Sequence, residues 1–96
     1  MFGSKKRYSK SKIQKWSAKG DLERLITALE KGTDMTKIYA IEALVIHNFM
    51  NVKRTLAVAL NDKNKDVALK AAQAIEHMGA NPEELNLIEE TRKKWQ

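Results

Sequence analysis

The stretches IYAIEAL, at residues 38–44, and LKAAQAI, at residues 69–75, decide the fold of this chain. Their apolar and small positions coincide when the sequence is shifted so that Ile38 falls on Leu69, and the same shift lays LITAL at 25–29 onto LAVAL at 56–60. A third copy begins at Leu87 and soon breaks down. A fixed period of 31 residues is typical of repeat proteins, in which each unit buries its apolar face against its neighbours. The sequence therefore predicts two full units and a partial third.

Within the first unit the apolar residues recur at spacings of three and four, which predicts two α-helices. We expect the first helix to begin at Asp21, whose carboxylate suits an N-cap. It should end at Gly32, a residue suited to a left-handed helix terminus. The second helix is expected from about Met35 to His47.

The second unit repeats this pattern. Its helices are expected from about Asn51 to a polar turn at 61–65, and from that turn to Gly79. A closing helix should begin at Pro82, because proline and acidic residues favour the first turn of a helix. The apolar residues of this closing helix, which we expect to face the core, are Leu85, Leu87, Ile88 and Trp95.

Composition limits the classes of function. A chain of 96 residues with 43% hydrophobic composition predicts one domain with little volume for a deep catalytic cleft. The absence of cysteine excludes disulfides and thiolate metal sites. The first residues are basic and polar where a secretory signal needs about 7 to 15 apolar ones, and the most apolar stretch, 38–50, is interrupted by polar residues. We therefore expect a soluble cytoplasmic protein with no membrane contact.

Positive charge is concentrated at the N-terminus. Residues 1–20 include seven basic side chains and no acidic one, whereas the rest of the chain holds 11 basic and 12 acidic side chains. We predict that residues 1–18 form a basic head, partly disordered at its start and followed by a short helix. Through Tyr8, Ile13 and Trp16 this helix would cap the repeats, since terminal units of a repeat protein differ from internal ones. Residues 19–96 would form the repeat domain.

The segment LNDKNKDVALKAAQAIEHMG, residues 60–79, resembles a HEAT repeat of the short kind named after phycobilisome lyases. The positions that match the family's pattern are Asp62, Val67, Ala71, Ala74, Ile75, Met78 and Gly79. The first unit carries Lys37 at the family's basic position, where the second carries Ala68. The resemblance covers about residues 20–90. It implies an all-α fold, namely a short right-handed α-solenoid of about two HEAT-like helical hairpins plus capping helices.

The second helices of HEAT-like hairpins line a concave surface, so the resemblance also implies a binding face. The residues on these helices that lie off the apolar side include Lys37, Tyr39, Glu42 and Ile46 in the first unit and Asp66, Lys70, Gln73 and His77 in the second. Of these, the residues that we predict to bind a protein are Tyr39, Glu42, Ile46, Lys70, Gln73 and His77. Apolar anchors surrounded by polar groups are typical of protein interfaces. The other interpretation makes Ile46 a core residue and Tyr39 a half-buried one. Our leading hypothesis is a non-catalytic scaffold or adaptor that binds another protein through this face without a cofactor.

The basic head supports an alternative hypothesis, binding of DNA or RNA. Its cations would pair with phosphates and its tryptophan would stack on bases. The residues concerned are Lys5, Lys6, Arg7, Lys10, Lys12, Lys15 and Trp16. An acidic protein or an anionic membrane surface would suit the same charges. In the simplest interpretation the head is a solvated tail and Trp16 packs on the first repeat.

No residue pattern for catalysis or metal binding is present in the sequence. His47 falls at the apolar position that Met78 has in the second unit, so we expect it in the core, and we expect His77 on the surface. Neither has the spacing of a metal-ligand motif. We therefore predict that the protein is not an enzyme and holds no metal. A homodimer is a further expectation, because a repeat domain this short has two ends, and a second copy could cover the first apolar face if residues 1–18 do not fold back on it.

Overall fold

The computed structural model describes residues 5–47 and 50–96, with the side chain of Met50 left aside. This part of the chain contains helices and turns, with one isolated β-bridge between Lys6 and Gly32 and no named strand. The all-helical prediction is therefore confirmed for the described residues. The helices are α1 (Lys10–Ala18), α2 (Leu22–Lys31), α3 (Asp34–Leu44), α4 (Met50–Ala59), α5 (Lys65–Met78) and α6 (Pro82–Lys94).

Helices α2 and α3 pack together as one hairpin, and α4 and α5 as a second. Helix α3 also contacts α1 and α5, and α2 contacts α4. The Cα trace measures 33 × 31 × 18 Å, and the smallest extent corresponds to two layers of helices, since a helix with its side chains is about 10 Å across. Helix α3 is therefore the central element, with neighbours on three sides.

Burial repeats with the same period as the sequence. In each of six pairs of residues related by the sequence repeat, both side chains are at most 8% exposed. These pairs are Leu25 and Leu56, Ala28 and Ala59, Leu29 and Leu60, Ala40 and Ala71, Ile41 and Ala72, and Leu44 and Ile75. The helix N-caps repeat too, because Thr33 accepts a hydrogen bond from the Thr36 N–H and Asn64 accepts one from the Val67 N–H. The two hairpins thus share one pattern of core and caps.

Two glycines end helices in different ways. Gly79 follows α5 with a φ of +93°, the positive value that glycine adopts easily. Gly32 follows α2 with a φ of −78° and a ψ of 168°, so our expectation of a left-handed conformation there was wrong. A Cβ atom at Gly32 would collide with the carbonyl oxygen of Ala28 and the side chain of Thr36. Gly32 is therefore explained by the close approach of α2 and α3 at their turn.

Residues 5–9 run in an extended conformation beside this turn. The Lys6 N–H donates to the Lys31 carbonyl and the Thr33 N–H donates to the Lys6 carbonyl, both at 2.9 Å. The Tyr8 N–H donates to Oγ1 of Thr36 at 3.0 Å. The remaining residues of the expected disordered start, 1–4, lie outside the described residues. From residue 5 onward the head is attached to the first hairpin.

Helix α1 then covers the first hairpin. Ile13 is 1% exposed and Trp16 is 8% exposed, and both belong to the same core cluster as Leu25 and Leu44. This region of the first hairpin's apolar face is therefore covered by the chain itself.

A polar network joins the two hairpins. Nζ of Lys37 lies 2.7 Å from Oδ2 of Asp62, and both side chains are 13% exposed. The other oxygen of Asp62 accepts from the Asn64 N–H at 2.8 Å, and Nδ2 of Asn64 donates to Asp34 at 3.0 Å. Burial alone would raise the pKa of Asp62, but the hydrogen bonds from Lys37 and Asn64 outweigh burial, so the pKa lies below its usual value.

Helix α6 buries less than its sequence indicated. Only Ile88 and Thr91 are buried, whereas Leu85 is 47% and Leu87 45% exposed, so the prediction that both leucines face the core was wrong. Helix α6 packs mainly against α5, and a helix with one such neighbour covers a narrow side. None of the helices among the described residues has the length and apolar character needed to cross a bilayer.

Candidate protein-binding face

Two stripes of side chains lie on α3 and α5, at equivalent positions of the two hairpins. The α3 stripe consists of Met35, Tyr39, Glu42 and Ile46, and the α5 stripe of Asp66, Lys70, Gln73 and His77. The spacings of four, three and four residues put each stripe on one side of its helix. Each member of the α5 stripe is the counterpart, in the sequence repeat, of one member of the α3 stripe. Nζ of Lys70 lies 3.1 Å from Oε2 of Glu42 and connects the two stripes.

The α3 stripe exposes large apolar side chains. Ile46, in the turn that follows α3, is 73% exposed, so its interpretation as a core residue was wrong. Met35 is 54% exposed and Tyr39 is half-buried against the core. The sequence analysis did not assign Met35 to this face, although its spacing of four from Tyr39 was a usable signal. Three of the four members of the α3 stripe thus offer apolar or aromatic surface.

Depressions border the α3 stripe on both sides. The one towards α5 has a volume of about 320 Å³, and Glu42, Lys70, Gln73 and His77 line it. The one towards α1 has a volume of about 290 Å³ and is lined by Tyr39, Glu42 and Ile46 together with Lys10 and Gln14 of α1. The six residues predicted for protein binding are therefore brought together around two adjacent depressions that share Glu42.

The cations of the basic head lie in several places. Nζ of Lys10 lies 6.0 Å from the ring centre of Tyr39, beside the α3 stripe. Nζ of Lys12 is 6.0 Å from the ring centres of both Tyr8 and Trp16. Lys5 pairs with Asp34 at 3.9 Å. The remaining cations named for the alternative site, Lys6, Arg7 and Lys15, are exposed to solvent.

Trp16 occupies a closed position. Its ring packs edge-on against Tyr8 with the ring centres 5.0 Å apart, and the guanidinium of Arg24 lies 5.8 Å from its centre. With 8% of its surface exposed, Trp16 contributes to the core, whereas stacking on a base requires an open ring face. Its position matches the simplest interpretation of the head, in which this side chain packs on the first repeat.

The two histidines lie on different helical hairpins. Nε2 of His47 lies 3.2 Å from Oγ of Ser17, which connects the end of α3 to α1, and the ring is half-buried. His77 is exposed on the α5 stripe. Within the ranges that the structure describes, no three His, Asp or Glu side chains converge as metal ligands.

Lys37, which the sequence also placed off the apolar side of α3, does not line either depression. Its ammonium group turns towards Asp62 and the second hairpin, so it contributes to the polar network described above.

Comparison with known protein families, with curated proteins and with solved structures gives no match to this chain. Its function therefore has to be inferred from the side chains of the face itself.

Proposed function

We propose that this protein is a non-catalytic interaction module that binds another protein through the α3 and α5 stripes. The observation that carries the proposal is the exposure of Met35 and Ile46 in line with Tyr39 on the central helix. Exposed apolar side chains add little to folding stability, and large ones rimmed by polar residues are typical of an interaction site. Here Lys70 and Gln73 of α5 supply one side of that rim.

We further propose that the two hairpins form a short right-handed solenoid of the HEAT-like kind. The periodic burial and the contacts of α3 with α1 and α5 support this architecture. In such an arrangement α1, α3 and α5 would line one surface with the α3 stripe at its centre. Binding would then proceed by complementarity to a rigid surface and would need no cofactor.

Substitution of Ile46 tests the proposal directly. The wild type, Ile46→Arg and Val58→Arg are each immobilised and used to capture proteins from an extract of the cells that make this chain. The sets of captured proteins are then compared. Val58 is the matched control, because it is 70% exposed on α4, near Arg54 and away from both stripes. We expect the same proteins with the wild type and Val58→Arg, and their loss with Ile46→Arg.

Equal capture by all three proteins would contradict the proposed face. Loss of the captured proteins with Val58→Arg alone would also contradict the proposed face. Because both positions are largely exposed, we expect both variants to keep the wild-type helical circular dichroism and urea midpoint, and this measurement excludes unfolding as the reason for a loss.

Binding of nucleic acid through the basic head is the second candidate. Residues 1–20 contain no acidic side chain, and Lys6, Arg7 and Lys15 form no ion pair with a carboxylate of the described residues. Removing residues 1–15 would also remove Ile13 from the core, so substitution is the better test. This candidate predicts binding of single-stranded DNA that weakens steeply with salt and is lost when these three residues become glutamine. Binding that is insensitive to salt would exclude it.

A further inference from the structure

A groove lies between α1 and α3, on the side of the α3 stripe away from α5. One wall carries Arg7, Lys10 and Gln14, and the other carries Met35, Tyr39 and Ile46. We call it the α1/α3 groove. It consists of two depressions, of about 780 and 290 Å³, that share Lys10 and Tyr39. From Met35 to Ile46 the helical rise gives a length of about 16 Å, enough for roughly five residues of extended chain.

The free charge of this groove is positive. Two carboxylates lie at its edges, and each is already paired with a cation: Asp34 with Lys5 at 3.9 Å, and Glu42 with Lys70 at 3.1 Å. Arg7 and Lys10 are exposed and make no ion pair with any carboxylate in the described parts of the chain. The groove therefore combines an apolar wall with a wall of cations that lack counterions.

We infer that the α1/α3 groove binds an acidic segment of a partner protein whose apolar side chains contact Met35, Tyr39 and Ile46. Its carboxylates would pair with Arg7 and Lys10. This inference rests on the proposed function and names the chemistry of the partner. A purely apolar segment would bring apolar surface beside two cations without neutralising them, which costs free energy. A nucleic acid would neutralise them but leave the apolar side chains at the far end uncovered. An acidic segment with apolar anchors satisfies both walls.

The test is a selection from a library of random 12-residue peptides displayed on phage, with the full chain immobilised as the target. We expect the enriched peptides to carry a net negative charge and at least two large apolar residues. Synthetic versions of these peptides should bind the wild type measurably in fluorescence anisotropy. Raising the NaCl concentration from 50 to 300 mM should weaken their binding about three- to tenfold, because ion pairs at an exposed groove are screened.

Four variants locate the site. Ile46→Ser and Lys10→Glu should each weaken binding of the acidic peptides about tenfold or more. The matched controls are Val58→Ser, at an equally exposed apolar position, and Lys63→Glu, at an exposed cation in the turn between α4 and α5. Both controls should change binding less than threefold. Lys10 lies in the first turn of α1, where a glutamate suits the helix dipole, so Lys10→Glu should fold.

Enrichment of neutral or basic peptides would overturn the acidic partner but leave the proposed function standing if their binding still depends on Ile46. If no enriched peptide depends on Ile46, both the inference and the proposed function fail. A (dT)16 oligonucleotide, added as a competitor of the acidic peptides, tests whether the groove binds nucleic acid instead. If it displaces the acidic peptides and its own binding is unchanged by Ile46→Ser, the groove binds nucleic acid and the inference is overturned.

Discussion

The α3 and α5 stripes occupy equivalent places in the two hairpins, yet their chemistry differs. Met35 and Ile46 are apolar and exposed, whereas their counterparts in the second hairpin are Asp66 and His77. The buried positions beneath them keep their character, as in the fully buried pair Leu25 and Leu56. Packing therefore constrains the interior of both hairpins in the same way and leaves the surface free. The binding surface that we propose is concentrated on the first hairpin because its stripe alone is largely apolar.

At two further paired positions the first hairpin has a polar residue where the second has an apolar one, and both polar residues make contacts outside the first hairpin. Thr36, the counterpart of Val67, binds the backbone of Tyr8 through its hydroxyl group. Lys37, the counterpart of Ala68, pairs with Asp62 of the second hairpin. The first hairpin is thus attached to a neighbour on each side.

The largest loss of stability is expected from substitutions in the core that the two hairpins share. Leu25→Ala and Leu56→Ala, which remove equivalent side chains that are fully buried, should each lower the free energy of unfolding by about 2 to 5 kcal/mol. Urea denaturation followed by circular dichroism measures both. Leu22→Ala, at a half-buried position of α2, provides the control and should cost less. If one of the two buried substitutions costs under about 1 kcal/mol, the hairpins do not share an equally tight core.

Replacement of Thr36 by valine, the residue at the equivalent position 67 of the second hairpin, tests the contact between Thr36 and Tyr8. Thr36→Val keeps the shape of the side chain but leaves the Tyr8 N–H without its acceptor. We expect a loss of about 1 to 3 kcal/mol in the free energy of unfolding, together with faster hydrogen exchange at the Tyr8 amide. Thr27→Val, on the exposed side of α2, is the control for the change of residue type. Unchanged exchange at Tyr8 would show that the N-terminal segment is held by other contacts.

The pair between Lys37 and Asp62 predicts a dependence on pH. Because the pKa of Asp62 is lowered in the folded protein, the pair stabilises the fold fully above the unfolded-state pKa, near 3.8. This contribution disappears as the pH falls through the lower native pKa. Asp62→Asn should therefore cost roughly 1 to 2 kcal/mol at pH 7, and the difference from the wild type should vanish at sufficiently low pH. Urea titrations at several pH values measure it, and a constant difference would contradict the role of this charge.

Much of the fold was predictable because helical periodicity reports burial. The shift between the two units identified the core pairs before any contact was known, including Leu44 and Ile75. Contacts between distant segments leave no such periodic signal. Nothing local in the sequence indicates that residues 5–9 lie beside the α2–α3 turn, or that Lys37 turns towards the second hairpin. Both are determined by tertiary contacts of the folded chain.

The candidate site was predictable in its position but not in its exposure. Periodicity assigned Tyr39, Glu42 and Ile46 to one side of a helix, yet it could not decide whether Ile46 is buried, because that depends on which helices are neighbours. The same limit explains the error at Leu85 and Leu87. These leucines continue an apolar pattern, but α6 has too few neighbours to cover them. The apolar pattern along one helix does not show how many neighbouring helices will cover it.

The smallest effect on stability is expected from exchanging the ends of the two stripes. In the double variant Ile46→His and His77→Ile each stripe receives the other's residue at a largely exposed position, so the free energy of unfolding should change by less than about 0.5 kcal/mol. Binding should nevertheless be lost, because the apolar anchor moves from the α1/α3 groove to the depression between α3 and α5. Circular dichroism with urea measures the first outcome and anisotropy with the selected peptides the second. Retained binding would mean that apolar surface anywhere on this face suffices, and that the difference between the two stripes carries no specificity.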